Sequence, residues 1–317
     1  MVFNNKIMAD LSIEFLGKKF NNPTILASGI MGITASSFKR VVQSGAGGIT
    51  SKSIWLEEHK GHPNPVILAT EHFMINAVGL PDAGIEKARE ELGAYLKWDE
   101  RAPMIASIVA GNKLDFGEIA EKVSEIGPDL IEVNISCPNV EDEFGRPFAA
   151  STSDTFEVTS MVKRQTKLPV IVKLSPNVAN IGDLAKSAAD GGADGICAVN
   201  TYGPGMVIDI DTAQPVLANK VGGVSGPGIK PLAVKAIFDI YKAVKLPIIG
   251  MGGLLNGRDA IEMMMAGATL VGFGAGLYYR DIDIFKKVTD EMSEWCDKNG
   301  VKNIGEIVGK ANACMVK

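Results

Sequence analysis

The sequence predicts an α/β protein of the (β/α)8 TIM-barrel class, with a short N-terminal β-hairpin and long loops over the carboxyl-end face. Three observations predict it. Eight short apolar, β-branched runs alternate with segments of helical periodicity. Short motifs recur where a helix hands over to a strand. No Pro/Ser-rich linker or shift in composition divides the chain, which opposes a two-domain doubly wound protein and assigns residues 1–317 to one barrel domain.

Taken in order, residues 11–20 alternate apolar and polar side chains around Gly17 and Lys18, a hairpin pattern placed to close the bottom of a barrel. Strands are expected at 24–27, 48–52, 104–109, 130–135, 170–174, 195–199, 248–250 and 270–273. Between them, Ile119, Val123 and Ile126, or Ala233, Ala236, Ile237, Ile240 and Val244, set one apolar stripe against a sheet, while Lys235, Asp239 and Lys242 fall outside it. KLPVIVKLS (167–175) is echoed by KLPIIGMGG (245–253), and GADGI (192–196) by GAGGI (45–49) and GATLV (267–271). The methionines at 263–265 read as helix packing. Connections 53–97 and 201–229 are longer than packing needs, and such loops carry substrate contacts or a lid.

A net charge of -5, a pI near 5.4 and the lack of a Lys/Arg cluster argue against nucleic acid as a partner. The 46% hydrophobic content permits a large core. MVFNNKIMAD has no apolar h-region and no run is long enough to span a bilayer, so the expectation is a cytoplasmic protein with no membrane segment. Cys137, Cys197, Cys296 and Cys314 show no CxxC spacing, which opposes a metal site and fits reduced thiols.

Chemistry concentrates in EVNISCPNV (132–140), where an apolar strand runs into a polar tip of Asn134, Ser136, Cys137 and Asn139. Carboxyl ends of strands face the ligand in parallel α/β proteins, so these groups suit a small polar molecule. Reading the other strand ends adds Ser28, Lys52, Lys173, Asn200, Gly252, Gly253, Gly274 and Ala275. A lysine at the end of an apolar strand is costly unless it faces a ligand or a structural ion-pair partner. GMGG (250–253) and GFGAG (272–276) end the last two strands, where barrels hold phosphate on backbone N–H groups; tight turns are the plainer alternative. Gly222, Gly223, Gly226 and Gly228 add possible contacts. Cys137 is either a small buried apolar group or a thiolate base or nucleophile. His59, His62 and His72 lie in one loop, through which alone a Cys–His pair could form. INAVGL (75–80), with Asn76 ahead of Gly79, is either a surface turn or a segment folded over the barrel mouth.

ASG, INAVGL, EVNISCPNV, VKLSPNV, VNT, GGVSGPGIKP and IIGMGG run in this order from about Leu11 to past Gly276, and the set resembles the catalytic subunit of class 1 dihydroorotate dehydrogenases, B-type members most closely. The resemblance implies a barrel holding one FMN per chain and oxidising dihydroorotate to orotate in pyrimidine biosynthesis. It makes Cys137 the catalytic base that takes the C5 proton while the C6 hydride passes to flavin N5. Asn76, Asn134, Asn139, Asn200 and Thr201 match residues that bond the pyrimidine ring and its carboxylate, with Ala77, Val78, Gly79 and Leu80 beside them. Lys52 matches a cation near both substrate and flavin, and Lys173 one that supports negative charge on the reduced flavin. The FMN phosphate is expected on Gly252, Gly253, Gly274 and Ala275, and the rest of the cofactor among Ser28, Ser53, Asn134, Val199 and Gly226. One flavin-contacting asparagine of the family is replaced where this chain has Ile108, and Ser107 compensates only if the strand register shifts. The resemblance further implies a homodimer, extended to a heterotetramer where a separate subunit carries FAD and a 2Fe–2S cluster to NAD; otherwise fumarate or another soluble acceptor serves.

Competing readings are a dihydropyrimidine dehydrogenase-like barrel, which shares NxSCP and KLxPNV, and a flavin-free phosphate-binding lyase using Lys52 or Lys173 as a Schiff-base lysine. Asn139 directly after Pro138 favours dihydroorotate over uracil or thymine. A non-catalytic scaffold is opposed by the convergence of a thiol, two lysines and several amides at the strand ends. Residues 141–151, with Gly145 and Pro147, are where a lid would lie.

Overall fold

In the computed structural model, which describes residues 9–136 and 148–313, the chain opens with the expected hairpin. Strand β1 (Ile13–Phe15) pairs antiparallel with β2 (Lys18–Phe20), Phe15 opposite Lys18. The first βα units follow as β3 (Thr24–Leu26), α1 (Ala35–Gln43) and β4 (Gly48–Thr50). Next come β5 (Ile67–Ala69), β6 (Met74–Asn76), α2 (Ile85–Leu96), β7 (Met104–Ile108), α3 (Lys113–Ile126) and β8 (Leu130–Asn134). Then α4 (Thr152–Gln165), β9 (Val170–Lys173), α5 (Ile181–Asp190) and β10 (Gly195–Ala198) continue the alternation. After β11 (Tyr202–Gly205), β12 (Ile208–Asp209), β13 (Gln214–Pro215) and β14 (Gly222–Ser225) come α6 (Lys230–Ala243), β15 (Ile248–Met251), α7 (Gly257–Ala266) and β16 (Leu270–Phe273). The described chain ends with α8 (Gly276–Arg280), α9 (Ile284–Asn299) and α10 (Lys310–Ala313).

Eight of these strands close a parallel barrel in the order β3-β4-β7-β8-β9-β10-β15-β16, and each corresponds to one of the expected runs. Period-2 alternation sorts their side chains into two layers. Ile25, Ile105, Leu130, Ile171, Cys197, Ile249 and Leu270 point inward, while Leu26, Ile49, Met104, Ile131, Val133 and Val172 pack under the helices. The hairpin closes the bottom of this interior: Phe15 and Phe20 join the inner cluster and meet edge to face at 6.3 Å between centroids. Asp129 pins it there, taking Arg101 at 2.6 Å, Lys18 at 3.2 Å and the Met104 N–H at 2.9 Å.

The two long connections lie over the carboxyl-end face as expected and contribute to the cavity there, and they also carry paired strands. Strands β5 and β6 from the first and β11 and β14 from the second form one antiparallel sheet, ordered β11-β14-β6-β5, with Asn76 opposite Gly223. Ile75, Ala77 and Leu217 are buried together beneath it, which supplies the apolar burial a lone hairpin lacks. Residues 141–147 of the expected lid segment lie outside the described residues, and Phe148–Ala150 form a 3-10 turn. No helix among the described residues is long and apolar enough to cross a membrane.

Candidate active site

One cavity opens where the carboxyl ends of the barrel strands meet the four-stranded sheet. The barrel contributes Ser28, Lys52, Ser53, Lys173, Val199, Asn200 and Thr201 to its wall, and the sheet and its flanks contribute Asn76, Val78, Gly79, Leu80 and Gly226. Gly252, Gly253, Gly274 and Ala275 complete it from the ends of β15 and β16. Two ammonium groups and no carboxylate stand among the described lining residues, so the cavity suits an anionic ligand.

The glycine turns form a cradle of donors. The N–H groups of Gly252, Gly253, Gly274 and Ala275 have no protein acceptor among the described residues, as expected of amides kept for an anion. Gly253 holds φ +76°, and a Cβ there would lie 2.7 Å from the Lys230 nitrogen and 2.9 Å from the Gly226 carbonyl oxygen. Gly274 differs: a Cβ on it would touch only Ala27, at 3.6 Å, and otherwise enter the cavity. The turn is braced from behind. Asp259 Oδ2 accepts the Leu255 and Asn256 N–H groups at 2.9 and 3.2 Å, and Arg280 donates to the Leu255 carbonyl at 3.0 Å and pairs with Glu291 at 2.8 Å.

Beneath the opposite wall runs a continuous polar chain. Asn200 Nδ2 donates to Ser136 Oγ at 2.9 Å, and Ser136 Oγ donates to Asn134 Oδ1 at 3.1 Å. Asn134 Nδ2 donates to Ser53 Oγ at 2.9 Å; Ser53 and Ser107 hydroxyls lie 3.0 Å apart, and Ser107 donates to Glu132 Oε1 at 2.9 Å. Lys173 Nζ stands 3.8 Å from the same carboxyl oxygen, so this strand-end lysine both faces the cavity and has an ionic partner. Thr201 Oγ1 is buried at the cavity with no hydrogen-bond partner among the described residues.

Several expected positions fall differently. Ala77 does not line the cavity: strand alternation turns Asn76 toward it and Ala77 away, into the cluster with Ile75 and Leu217. Asn134 lies behind the wall and reaches it through Ser53. Ile108 faces the helices on the barrel's outer layer, and Ser107 already points inward in an unbroken β7–β8 register, so no shift is needed to bring its hydroxyl beside Ser53. None of the three histidines lines the cavity; His59 stacks on Trp55 at 4.6 Å and His72 meets Glu71 at 2.8 Å. Cys137 and Asn139 lie outside the described residues. Burial pushes the thiols of Cys197 and Cys296 up, and the Glu132 carboxylate adds to this at Cys197, which leaves both unreactive.

Glu132 and the apolar wall of Ile67, Met74 and Met251 were not singled out in the sequence. For Glu132 a signal existed: it shares a strand face with Asn134, two residues on, so a carboxyl had to point into the barrel. For Ile67 none did, because β5 is created by pairing with β6.

Fold and cavity together define a (β/α)8 barrel with a cavity at the carboxyl ends of its strands, the face on which barrels of this class carry their active sites. The family model described as dihydroorotate dehydrogenase matches residues 10–295. The dihydroorotate dehydrogenase B (NAD(+)) catalytic subunit of Methanocaldococcus jannaschii is 43% identical over 309 residues, covering 95% of this chain and 98% of its own. Its counterpart in Methanothermobacter thermautotrophicus is 40% identical over 294 residues, covering 93% and 96%. The chain belongs to the dihydroorotate dehydrogenase family, whose members are flavin-dependent oxidoreductases. The fold alone extends further: the dihydroorotate dehydrogenase of Eimeria tenella, solved with ferulenol, superposes with a TM-score of 0.83 at 21% identity, covering 96% of this chain and 89% of its own.

Proposed function

We propose that this chain is the catalytic subunit of a B-type dihydroorotate dehydrogenase, a cytoplasmic protein folded as one barrel domain that oxidises dihydroorotate to orotate on FMN. The observation that carries the reading is the pairing of four open backbone N–H groups with two lysines around one cavity. A terminal phosphate needs the first, and an acidic, electron-rich ligand set needs the second.

The residues present fit FMN. Gly252, Gly253, Gly274 and Ala275 would hold its phosphate, and Ser28, Ser53, Val199 and Gly226 the remainder, against the apolar side chains of Met74 and Met251. When bound, FMN supplies the hydride acceptor. The chain supplies the rest. Asn76, Asn200 and Thr201, with Asn134 behind them, offer neutral donors and acceptors that bind a planar imide without titrating. Val78, Gly79 and Leu80 shape the same wall, and Lys52 attracts the substrate carboxylate. Cys137 and Asn139 take their roles from the family motif: the Cys137 thiolate accepts the proton from C5, and Asn139 bonds the substrate.

The relatives are named catalytic subunits of an NAD(+) enzyme, which supports a second chain as electron acceptor; the family resemblance makes that chain a carrier of FAD and 2Fe–2S around a catalytic homodimer. An anaerobic absorbance spectrum before and after dihydroorotate, with the released cofactor identified by mass, tests the reading. Bleaching of bound FMN by dihydroorotate, lost in Cys137→Ser at neutral pH, is expected. Response to dihydrouracil instead, or no flavin after FMN reconstitution, would overturn it.

A further inference from the structure

Glu132 is fully buried inside the barrel, below the cavity, and no step above uses it. Its Oε1 accepts the Ser107 hydroxyl and faces Lys173, while Oε2 has no hydrogen-bond partner among the described residues. Burying a carboxyl with one oxygen unsatisfied costs far more than an apolar residue of that size would, so the position calls for a compensating role.

A carboxylate only accepts hydrogen bonds, and this fixes the direction of every bond that leads to it. Ser107 must donate to Glu132, so its oxygen is left to accept the proton of Ser53, 3.0 Å away. Ser53 then accepts from Asn134 Nδ2, which turns Asn134 Oδ1 toward Ser136. Ser136 in turn accepts from Asn200 Nδ2, which leaves Asn200 Oδ1 to the Thr201 N–H at 2.8 Å. The Ser136 and Thr201 N–H groups, which can only donate, hold the two amide oxygens in the same sense, and without an acceptor-only terminus the Ser107 and Ser53 hydroxyls could reverse and set their protons against Asn134 Nδ2. The same carboxyl sets a negative charge against the Lys173 ammonium in a low-dielectric interior, where the pair's field is weakly screened.

We propose that Glu132 is a positioning residue of the flavin site, which fixes the Ser107 and Ser53 hydroxyls so that Ser53 accepts the Asn134 amide, and offsets the charge of Lys173 beside the cofactor. The proposal rests on the FMN and dihydroorotate reading above. Two variants separate its two effects. Glu132→Gln keeps an acceptor for Ser107 and removes the charge. The reduction potential of its bound FMN is expected to rise by at least about 30 mV, a tenfold change for a two-electron couple. Ser107→Ala keeps the charge and cuts the chain. Its orotate Kd, read from the flavin spectrum, is expected to weaken about tenfold with the potential unmoved.

A Glu132→Gln potential equal to the parent's would overturn the proposal, since a carboxyl that only fills space leaves the potential alone. If that variant does not fold, Ser107→Ala decides: orotate bound as tightly as by the parent overturns it, and the tenfold loss supports it. Failure of the underlying reading looks different, because the parent itself would then take up no FMN or ignore orotate.

Discussion

Lys230 Nζ lies 2.7 Å from Asp259 Oδ1, and through Oδ2 the same carboxylate caps the turn that carries Gly252 and Gly253 into α7. Burial pulls the Lys230 ammonium down, but the Asp259 and Glu262 carboxylates outweigh it and hold it above the usual lysine range. A pKa raised by folding contributes stability below the unfolded value, near 10.4, that is lost as pH rises through the folded value. The pair is therefore intact at neutral pH. Asp259→Ala is expected to cost about 2 kcal/mol in denaturant unfolding, from a lost cap and two orphaned N–H groups. FMN titration of the same variant should show weaker binding, because the turn loses its brace. Unchanged FMN affinity would separate the brace from the cradle.

The barrel strands were legible because parallel strands buried on both faces leave continuous apolar runs, as in VIVKL and IIGM. Their polar ends were legible for the same reason: Lys173 and Asn200 interrupt the pattern where a strand must meet a ligand. What local pattern cannot carry is pairing between distant residues. Asn76 and Gly223 sit opposite each other from 147 positions apart, and neither INAVGL nor VGGVS announces the other. Which face Ile108 and Ser107 take depends on the register of β7 against β8, since a shift of one residue exchanges the two faces. The direction of the Ser107–Ser53–Asn134 chain depends on Glu132, which is visible only once three strands are set side by side.

Phe20 is fully buried at the bottom of the barrel, far from the cavity lining. Phe20→Ala is expected to cost about 3–5 kcal/mol, the sum of lost transfer energy and an unfilled cavity between β1–β2 and the barrel. Its FMN affinity, measured in buffer where the variant remains folded, should match the parent's. A matching loss of FMN affinity would show that the bottom plug and the cofactor end are mechanically coupled.

Asp129 predicts an acid dependence of stability. Burial pushes its carboxyl up, yet the Arg101 guanidinium, the Met104 N–H and Lys18 outweigh this and hold it below the usual carboxylate range. A depressed carboxyl contributes stability above its unfolded value, near 3.9, and the contribution fades as pH falls through the folded value. Asp129→Asn should therefore be less stable than the parent at neutral pH, with the difference narrowing in acid. Urea unfolding series at neutral pH and near pH 3 measure both arms; a difference that stays constant would assign the cost to packing.

Gly274 offers the cleanest separation of cofactor binding from folding. It has no left-handed φ, and a Cβ would meet only Ala27 at 3.6 Å, an ordinary contact, so Gly274→Ala demands no backbone strain. By removing backbone entropy from the unfolded chain, alanine here should leave apoprotein stability within about 0.5 kcal/mol of the parent or slightly above it. The same methyl group projects into the cavity beside the open N–H groups of Gly274 and Ala275, where an anion must approach the backbone closely. FMN affinity is accordingly expected to fall at least tenfold, read by fluorescence quenching on titration of apoprotein with FMN. Riboflavin, which lacks the phosphate, should lose much less affinity, because only the phosphate end meets the added carbon. Equal losses for both ligands would place the phosphate elsewhere and leave the glycines of β15 and β16 with the role of tight turns.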